Sequence, residues 1–116
     1  MREFLYVDDM ADGCVFVMEL DEKTLSREML SYPKPCFANL GTGVDVTIRE
    51  LAETVKEVVG YQGALEFDPS KPDGTMRKLL DVSKASALGW QAKVSLREGL
   101  ERTYEWFLRH QGQFRK

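Results

Sequence analysis

The stretch CFANLGTGVDVTIRELAETVKEVVG, Cys36 to Gly60, decides the fold. Cys36 to Leu40 reads as a short strand, and Gly41-Thr42-Gly43 as a turn leaving it. Thr47 and Glu50 stand at the spacing of a capping box, where a hydroxyl and a carboxylate each satisfy a backbone N–H at a helix start. Behind them Ile48, Leu51, Ala52, Val55, Val58 and Val59 recur with helical period, and Gly60 supplies a C-terminal stop. A strand, a glycine turn and a capped amphipathic helix in one stretch predict an α/β chain.

Working toward the N-terminus, Arg2 to Val7 (REFLYV) is rich in aromatic and branched residues and predicts a strand. Val7-Asp8-Asp9 then opens a helix, with a carboxylate placed to cap free N–H groups. Met10, Cys14, Val17 and Met18 give that helix one apolar face ending near Leu20, and residues 21–35 read as a polar connection closed by Pro33 and Pro35. Toward the C-terminus, Ala64 to Phe67 predicts a third strand, and Asp68 to Gly74 a turn with two prolines. Asp81 to Leu88 predicts a short helix stopped by Gly89. Ser95 and Glu98 have the spacing of a second capping box, and Leu96, Leu100, Tyr104, Phe107 and Leu108 stripe a last helix to about His110. The order is strand-helix three times over, with mixed short strands, some parallel pairing and about three main helices in a single domain, residues 1–116.

Composition sets the class. With 116 residues, 43% apolar and 30% charged, the chain reads as one ordinary globular unit able to bury about two-thirds of its unfolded surface. Disorder, collagen and a disulfide scaffold are excluded. No apolar run reaches the roughly 20 residues of a membrane span, and Met-Arg-Glu-Phe lacks a signal peptide's apolar core, so the expectation is a cytoplasmic chain without membrane contact. Residues 1–60 carry 6 basic and 12 acidic side chains (−6), and residues 61–116 carry 10 basic and 7 acidic (+3). An overall pI near 5.2 argues against a nucleic-acid partner, while the basic second half suits one small anionic ligand. Cys14 and Cys36 are expected as free thiols, both in the core.

Gly41-x-Gly43 between a strand and a helix invites a cofactor-phosphate loop, but the fingerprint's third glycine position holds Val46, so a plain turn is expected. Adjacent Asp8 and Asp9 suit helix capping better than a metal pair. His110 has no positioned partner, and neither a Ser/His/Asp arrangement nor a metal-ligand cluster is present. The stretch Lys71-Pro72-Asp73-Gly74, with Arg77 and Lys78 nearby, is more telling. Pro72, with Pro69 just before it, stiffens the loop and holds a cation beside a carboxylate, a pair suited to phosphate and to sugar hydroxyls. The bland alternative is a solvated charged turn.

Three segments together carry a resemblance: Arg2-Glu-Phe-Leu-Tyr-Val-Asp-Asp-Met-Ala11; Asn39-Leu-Gly-Thr-Gly-Val-Asp45 with Thr47-Ile-Arg-Glu-Leu51; and Lys71-Pro-Asp-Gly-Thr75 with Arg77-Lys-Leu-Leu-Asp81. The chain resembles the extended short-chain dehydrogenase/reductases, and within them the C-terminal third of bacterial GDP-L-fucose synthases; Leu88-Gly-Trp90 and Tyr104-Glu-Trp-Phe-Leu108 fit the same ending. The resemblance implies the C-terminal substrate-binding part of an NADP-dependent epimerase-reductase that converts GDP-4-keto-6-deoxy-mannose to GDP-L-fucose, an oxidoreductase and isomerase of GDP-fucose biosynthesis. It implies GDP-sugar contacts from Arg2 and Asp73, then Lys71, then Lys78 and Arg77.

The same comparison implies gaps. The sequence holds no Gly-x-x-Gly-x-x-Gly opening and no Tyr-x-x-x-Lys helix, which supply cofactor binding and the proton donor in such enzymes. The expectation is therefore no catalytic residue, no cofactor bound by this chain alone, and NADP only in the complete enzyme. The chain is expected to be a truncated reading frame or a fragment, inactive in isolation. Because the Cys36 to Leu40 strand would have lost its sheet, homodimerisation or strand exchange is expected, with a cofactor domain supplied in trans as a further partner. Two other readings remain open: a different nucleotide-sugar epimerase or dehydratase, and a non-catalytic self-associating module.

Overall fold

The structure, a computed structural model, describes residues 1–114. Five helices and one minimal sheet follow in the order β1 (Arg2–Glu3), α1 (Val7–Met18), α2 (Glu22–Met29), β2 (Asp45–Val46), α3 (Ile48–Val59), α4 (Ser83–Leu88) and α5 (Leu96–His110), with a 3-10 turn at Gln111–Gln113. This is an α/β chain in which α3 and α5 pack on one another. Among the described residues no helix is long and apolar enough to cross a membrane.

The helices form where the capping chemistry says they should. The Thr47 hydroxyl accepts from the Glu50 N–H at 3.1 Å, and the Glu50 carboxylate accepts from the Thr47 N–H at 2.7 Å, closing the expected box. Gly60 ends α3 at φ 71° and Gly89 ends α4 at φ 107°, left-handed angles that a Cβ makes costly. Ser95 caps α5 through the Glu98 N–H, but Glu98 turns its carboxylate to Arg102, so the second box is only half made.

The strands are corrected. β1 is two residues long rather than the six of Arg2 to Val7, because its pairing stops at Arg2↔Val46 and Glu3↔Asp45. It runs antiparallel to β2, and among the described residues the parallel pairing is confined to an isolated bridge from Arg2 to Lys78. Cys36 to Leu40 and Ala64 to Phe67 are not strands. A strand needs a ladder partner for its N–H and C=O groups, and side chains do part of that work instead. Lys84 Nζ donates to the Pro35 and Phe37 carbonyls at 2.6 and 3.0 Å, and Asn39 donates to the Asp81 carbonyl at 3.1 Å.

The polar connection at 21–35 is corrected as well, since it contains α2. Its start is legible in hindsight: Asp21 accepts from the Thr24 N–H at 2.9 Å as an N-cap. On α1 neither Asp8 nor Asp9 caps the helix. Tyr6 holds the N-cap position without a side-chain bond, and Asp9 is buried. Both cysteines are exposed rather than in the core.

Burial is the feature that composition hid. Among the described residues the buried hydrophobic side chains are Ala85 and Trp90. Val7, Met10, Val15 and Met18 of α1 stand 49–84% exposed, as do many apolar residues elsewhere. The accessible surface is 9110 Å², against roughly 6,500 Å² for a folded monomer of this mass. The radius of gyration is 18.0 Å, where about 13 Å is usual for this length. The apolar periodicity is real, but much of it faces outward.

Candidate functional site

β1 sits between two neighbours. On one side is β2, and on the other the chain from Met76 to Leu80 runs alongside, with the Lys78 N–H donating to the Met1 carbonyl at 3.1 Å. The knot that holds all three is Glu3. Its Oε1 accepts from the N–H groups of Thr42 (2.5 Å) and Gly43 (2.8 Å), and its Oε2 from the N–H of Leu80 (2.9 Å). Burial pushes the Glu3 carboxyl pKa up, but the bonds from Leu80, Gly43 and Thr42 outweigh burial and hold it below the ordinary glutamate value.

Glu3 also explains the Gly41-Thr42-Gly43 turn. Successive N–H groups in such a turn make an anion cradle, and here the anion is the chain's own carboxylate. A Cβ on Gly41 would collide with the Glu3 carboxylate where it is held by its N–H donors, so the glycine leaves room for the acid. Gly43 adds a φ of 72°. The turn is an anion site filled internally, and these residues do not fit a dinucleotide phosphate.

An open cleft lies at the other end of β1. Arg2 Nη1 donates to the carbonyls of Thr75 at 2.6 Å and Met1 at 2.7 Å. Those bonds place the guanidinium on the wall of a cleft of about 290 Å³, lined by Arg2, Ile48 and the run Asp73 to Met76. Arg2 and Asp73, 71 residues apart in sequence, thus share one cavity. A Cβ on Gly74 would come within 3.1 Å of Arg2 Nη2, so the glycine also keeps the approach to the arginine clear. A half-buried guanidinium facing an exposed carboxylate can bind an anion at one end and hydrogen-bond donors at the other.

The other three candidates are not among the residues lining this cleft. Lys71 is exposed and lies 4.0 Å from Asp68. Arg77 is committed to Asp45 through two bonds, Nε to Oδ2 at 2.6 Å and Nη2 to Oδ1 at 3.2 Å. Lys78 joins the site through its backbone. A larger groove of about 500 Å³ runs between Phe4 to Val7, α3 and α5, but its lining is apolar apart from the hydroxyls of Tyr6, Ser95 and Thr103.

The structural anchors were missed in the sequence. Asp9 Oδ2 accepts from the N–H groups of Lys93 (3.0 Å) and Val94 (2.9 Å), tying α1 to the loop that enters α5. Asp12 accepts from the Trp90 indole at 3.0 Å, and a Cβ on Gly13 would collide with Leu40 and Trp90. The readable signal was a carboxylate one helical turn before a glycine, a polar group beside a position with no room. His110 stacks on Trp106 at 4.5 Å and bonds its carbonyl, so it is held on its own helix. Among the described residues no group of His, Cys, Asp and Glu is placed to hold a metal ion.

No protein-family model matches the chain. The GDP-L-fucose synthase of Escherichia coli is 54% identical over 118 aligned positions, covering 99% of this chain and 35% of that protein. Among solved structures, a GDP-6-OMe-4-keto-L-xylo-heptose reductase from Campylobacter jejuni superposes with a TM-score of 0.83 at 41% identity, over 94% of this chain and 31% of that one. A GDP-mannoheptose C4 reductase from the same organism, solved with NADP bound, gives 0.77 at 40% identity over 92% and 31%. The chain spans about a third of the length of the relatives it matches.

Proposed function

The chain is a homologue of the C-terminal third of GDP-L-fucose synthases, within the extended short-chain dehydrogenase/reductases, and on that premise we propose that it forms the GDP-sugar-gripping wall of such an enzyme. The observation that carries the reading is the convergence of Arg2 and Asp73 on one cleft. The guanidinium neutralises the diphosphate with its planar fork of N–H donors, and the carboxylate accepts hydrogen bonds from hydroxyls of the sugar nucleotide. Lys71 and Lys78 add positive charge to the arm that carries Asp73. The work of this part is positioning, which holds the sugar where chemistry performed by other groups takes place.

Hydride transfer from NADPH and the acid-base steps of epimerisation are assigned to parts this chain does not supply. The Gly41-Thr42-Gly43 turn ahead of β2 is filled by Glu3, so no step of the reaction runs through a cofactor held there. By itself the chain therefore oxidises no NADPH on a GDP-4-keto-sugar.

Titration calorimetry with GDP, UDP and dTDP tests the reading. GDP is expected to bind best, and Arg2→Ala and Asp73→Ala are each expected to weaken it about tenfold. Equal affinity for all three nucleotides, or variants that bind like the parent, would point to another substrate or to an idle charged turn.

The surplus of accessible surface supports a partner. It is of the size that obligate interfaces bury, and a second copy or a cofactor domain in trans would cover it. Light scattering across a dilution series is expected to show a mass above that of one chain. A monomer mass at every concentration would remove the self-association part of the proposal.

A further inference from the structure

Arg77 was a candidate ligand by sequence, and the structure uses it differently. Arg77 and Asp45 stand on the two chains that flank β1, and their side chains meet across it in a two-bond pair. The Asp45 side chain is only 6% exposed while that of Arg77 is 61% exposed. A carboxylate so enclosed is not available to a ligand. We propose that the Asp45–Arg77 pair is a latch that holds the arm carrying Asp73 and Thr75 against β1, so that both residues are positioning residues for the cleft.

The reason lies in how little else holds that arm. Every residue from 64 to 81 is exposed, and the Phe67 ring under the Arg49 guanidinium, 4.3 Å from its centroid, lies well before the cleft residues. Its remaining ties near the cleft are the Met1 amine to the Met76 carbonyl, the Lys78 N–H to the Met1 carbonyl, the Leu80 N–H to Glu3 and the Thr75 carbonyl to Arg2. The last of these orients the guanidinium itself. Arg77 lies two residues beyond Thr75 and four beyond Asp73, close enough along the chain for its anchor to set where both can sit. Releasing it lets the Thr75 carbonyl drift, takes one acceptor from Arg2 and frees Asp73 to leave the cleft. A site held in its bound geometry beforehand binds more tightly than one that must be ordered by its ligand. The Arg77 guanidinium, through its hydrogen bonds, also holds the Asp45 carboxyl below the usual aspartate range, so the latch stays charged into mild acid.

This inference rests on the GDP-sugar reading, and Asp45→Asn separates the two. Removing a negative charge near an anion site should tighten GDP binding if only electrostatics matters, whereas loss of the latch weakens it by about threefold to tenfold. Arg77→Met is expected to weaken GDP by a similar factor, and adding Arg77→Met to the pair Arg2→Ala/Asp73→Ala to cost nothing further, since both groups the latch positions are then gone. Arg77→Lys, which keeps the charge and loses the fork, is expected in between. Hydrogen exchange without ligand gives an independent readout, with faster exchange expected at Lys78 and Leu80 in Asp45→Asn. If Arg2→Ala weakens GDP while Asp45→Asn binds it as well as or better than the parent, the latch is overturned and the site reading stands. If Arg77→Met still weakens GDP in the Arg2→Ala/Asp73→Ala background, Arg77 touches the ligand directly and the latch is again overturned. If Arg2→Ala has no effect, the site reading fails and the latch falls with it.

Discussion

The frame around β1 and the arm from 64 to 81 are built by opposite means. In the frame, acids turn inward: Glu3 collects three backbone N–H groups from two segments, and Asp9 collects two from a third. In the arm every residue is exposed and the acids face outward, Asp68 folding back on Ser70 and Asp73 onto the cleft. A carboxylate that satisfies buried donors joins segments which share little apolar contact. One on a solvated turn adds little to stability and stays free for a ligand. The frame supplies the fixed wall, and the arm supplies the group that reads what lies against it.

The sharpest way to break this contrast is Asp9→Ala. It leaves the Lys93 and Val94 N–H groups without an acceptor at a buried position, at about 1–3 kcal/mol for each donor stranded. A clear drop in the urea midpoint is expected, with Asp9→Asn losing less because it keeps an acceptor oxygen. Asp73→Ala, the same deletion on the arm, should leave the midpoint where it is. Equal effects would mean that frame and arm are not different kinds of structure.

A smaller effect concerns pH and Glu3. Its folded pKa lies below the ordinary glutamate value of 4.5. The stabilisation it gives is therefore fully present above that value and is lost as pH falls through the lower, folded one. Glu3→Gln should flatten this acid limb of the stability curve, measured as denaturation midpoints between neutral and acid pH. An unchanged limb would show that the knot at β1 does not depend on the charge of Glu3.

The sequence made α3, α4 and α5 readable because their signals are local. Thr47, Glu50 and Gly60 lie within one helix length of each other, as do Ser95 and the apolar stripe that follows. It also carried the relationship to GDP-sugar enzymes, through the motifs at residues 2–11, 39–51 and 71–81. The failures share another cause. Cys36 to Leu40 and Ala64 to Phe67 have the composition of strands, but a strand is completed by a neighbour, and composition does not say whether one is there. Cys14, Met10 and Met18 have the period of a buried face, yet period fixes only that they lie on one side, not what covers it.

Residue type and spacing by themselves determined α3, α4 and α5 and their stops, because hydrogen bonds over three or four residues and the φ freedom of glycine need no distant partner, while Arg2 and Asp73 were named through the family resemblance. Only the tertiary structure decided that Glu3 fills the glycine turn, that Asp9 is an anchor rather than a cap, and that Arg77 closes on Asp45 instead of on a ligand. Each of those is a contact between groups 32 to 85 positions apart. Such contacts form when folding brings opposite partners to hydrogen-bond distance, and nothing in the local order of the chain records which partners those will be.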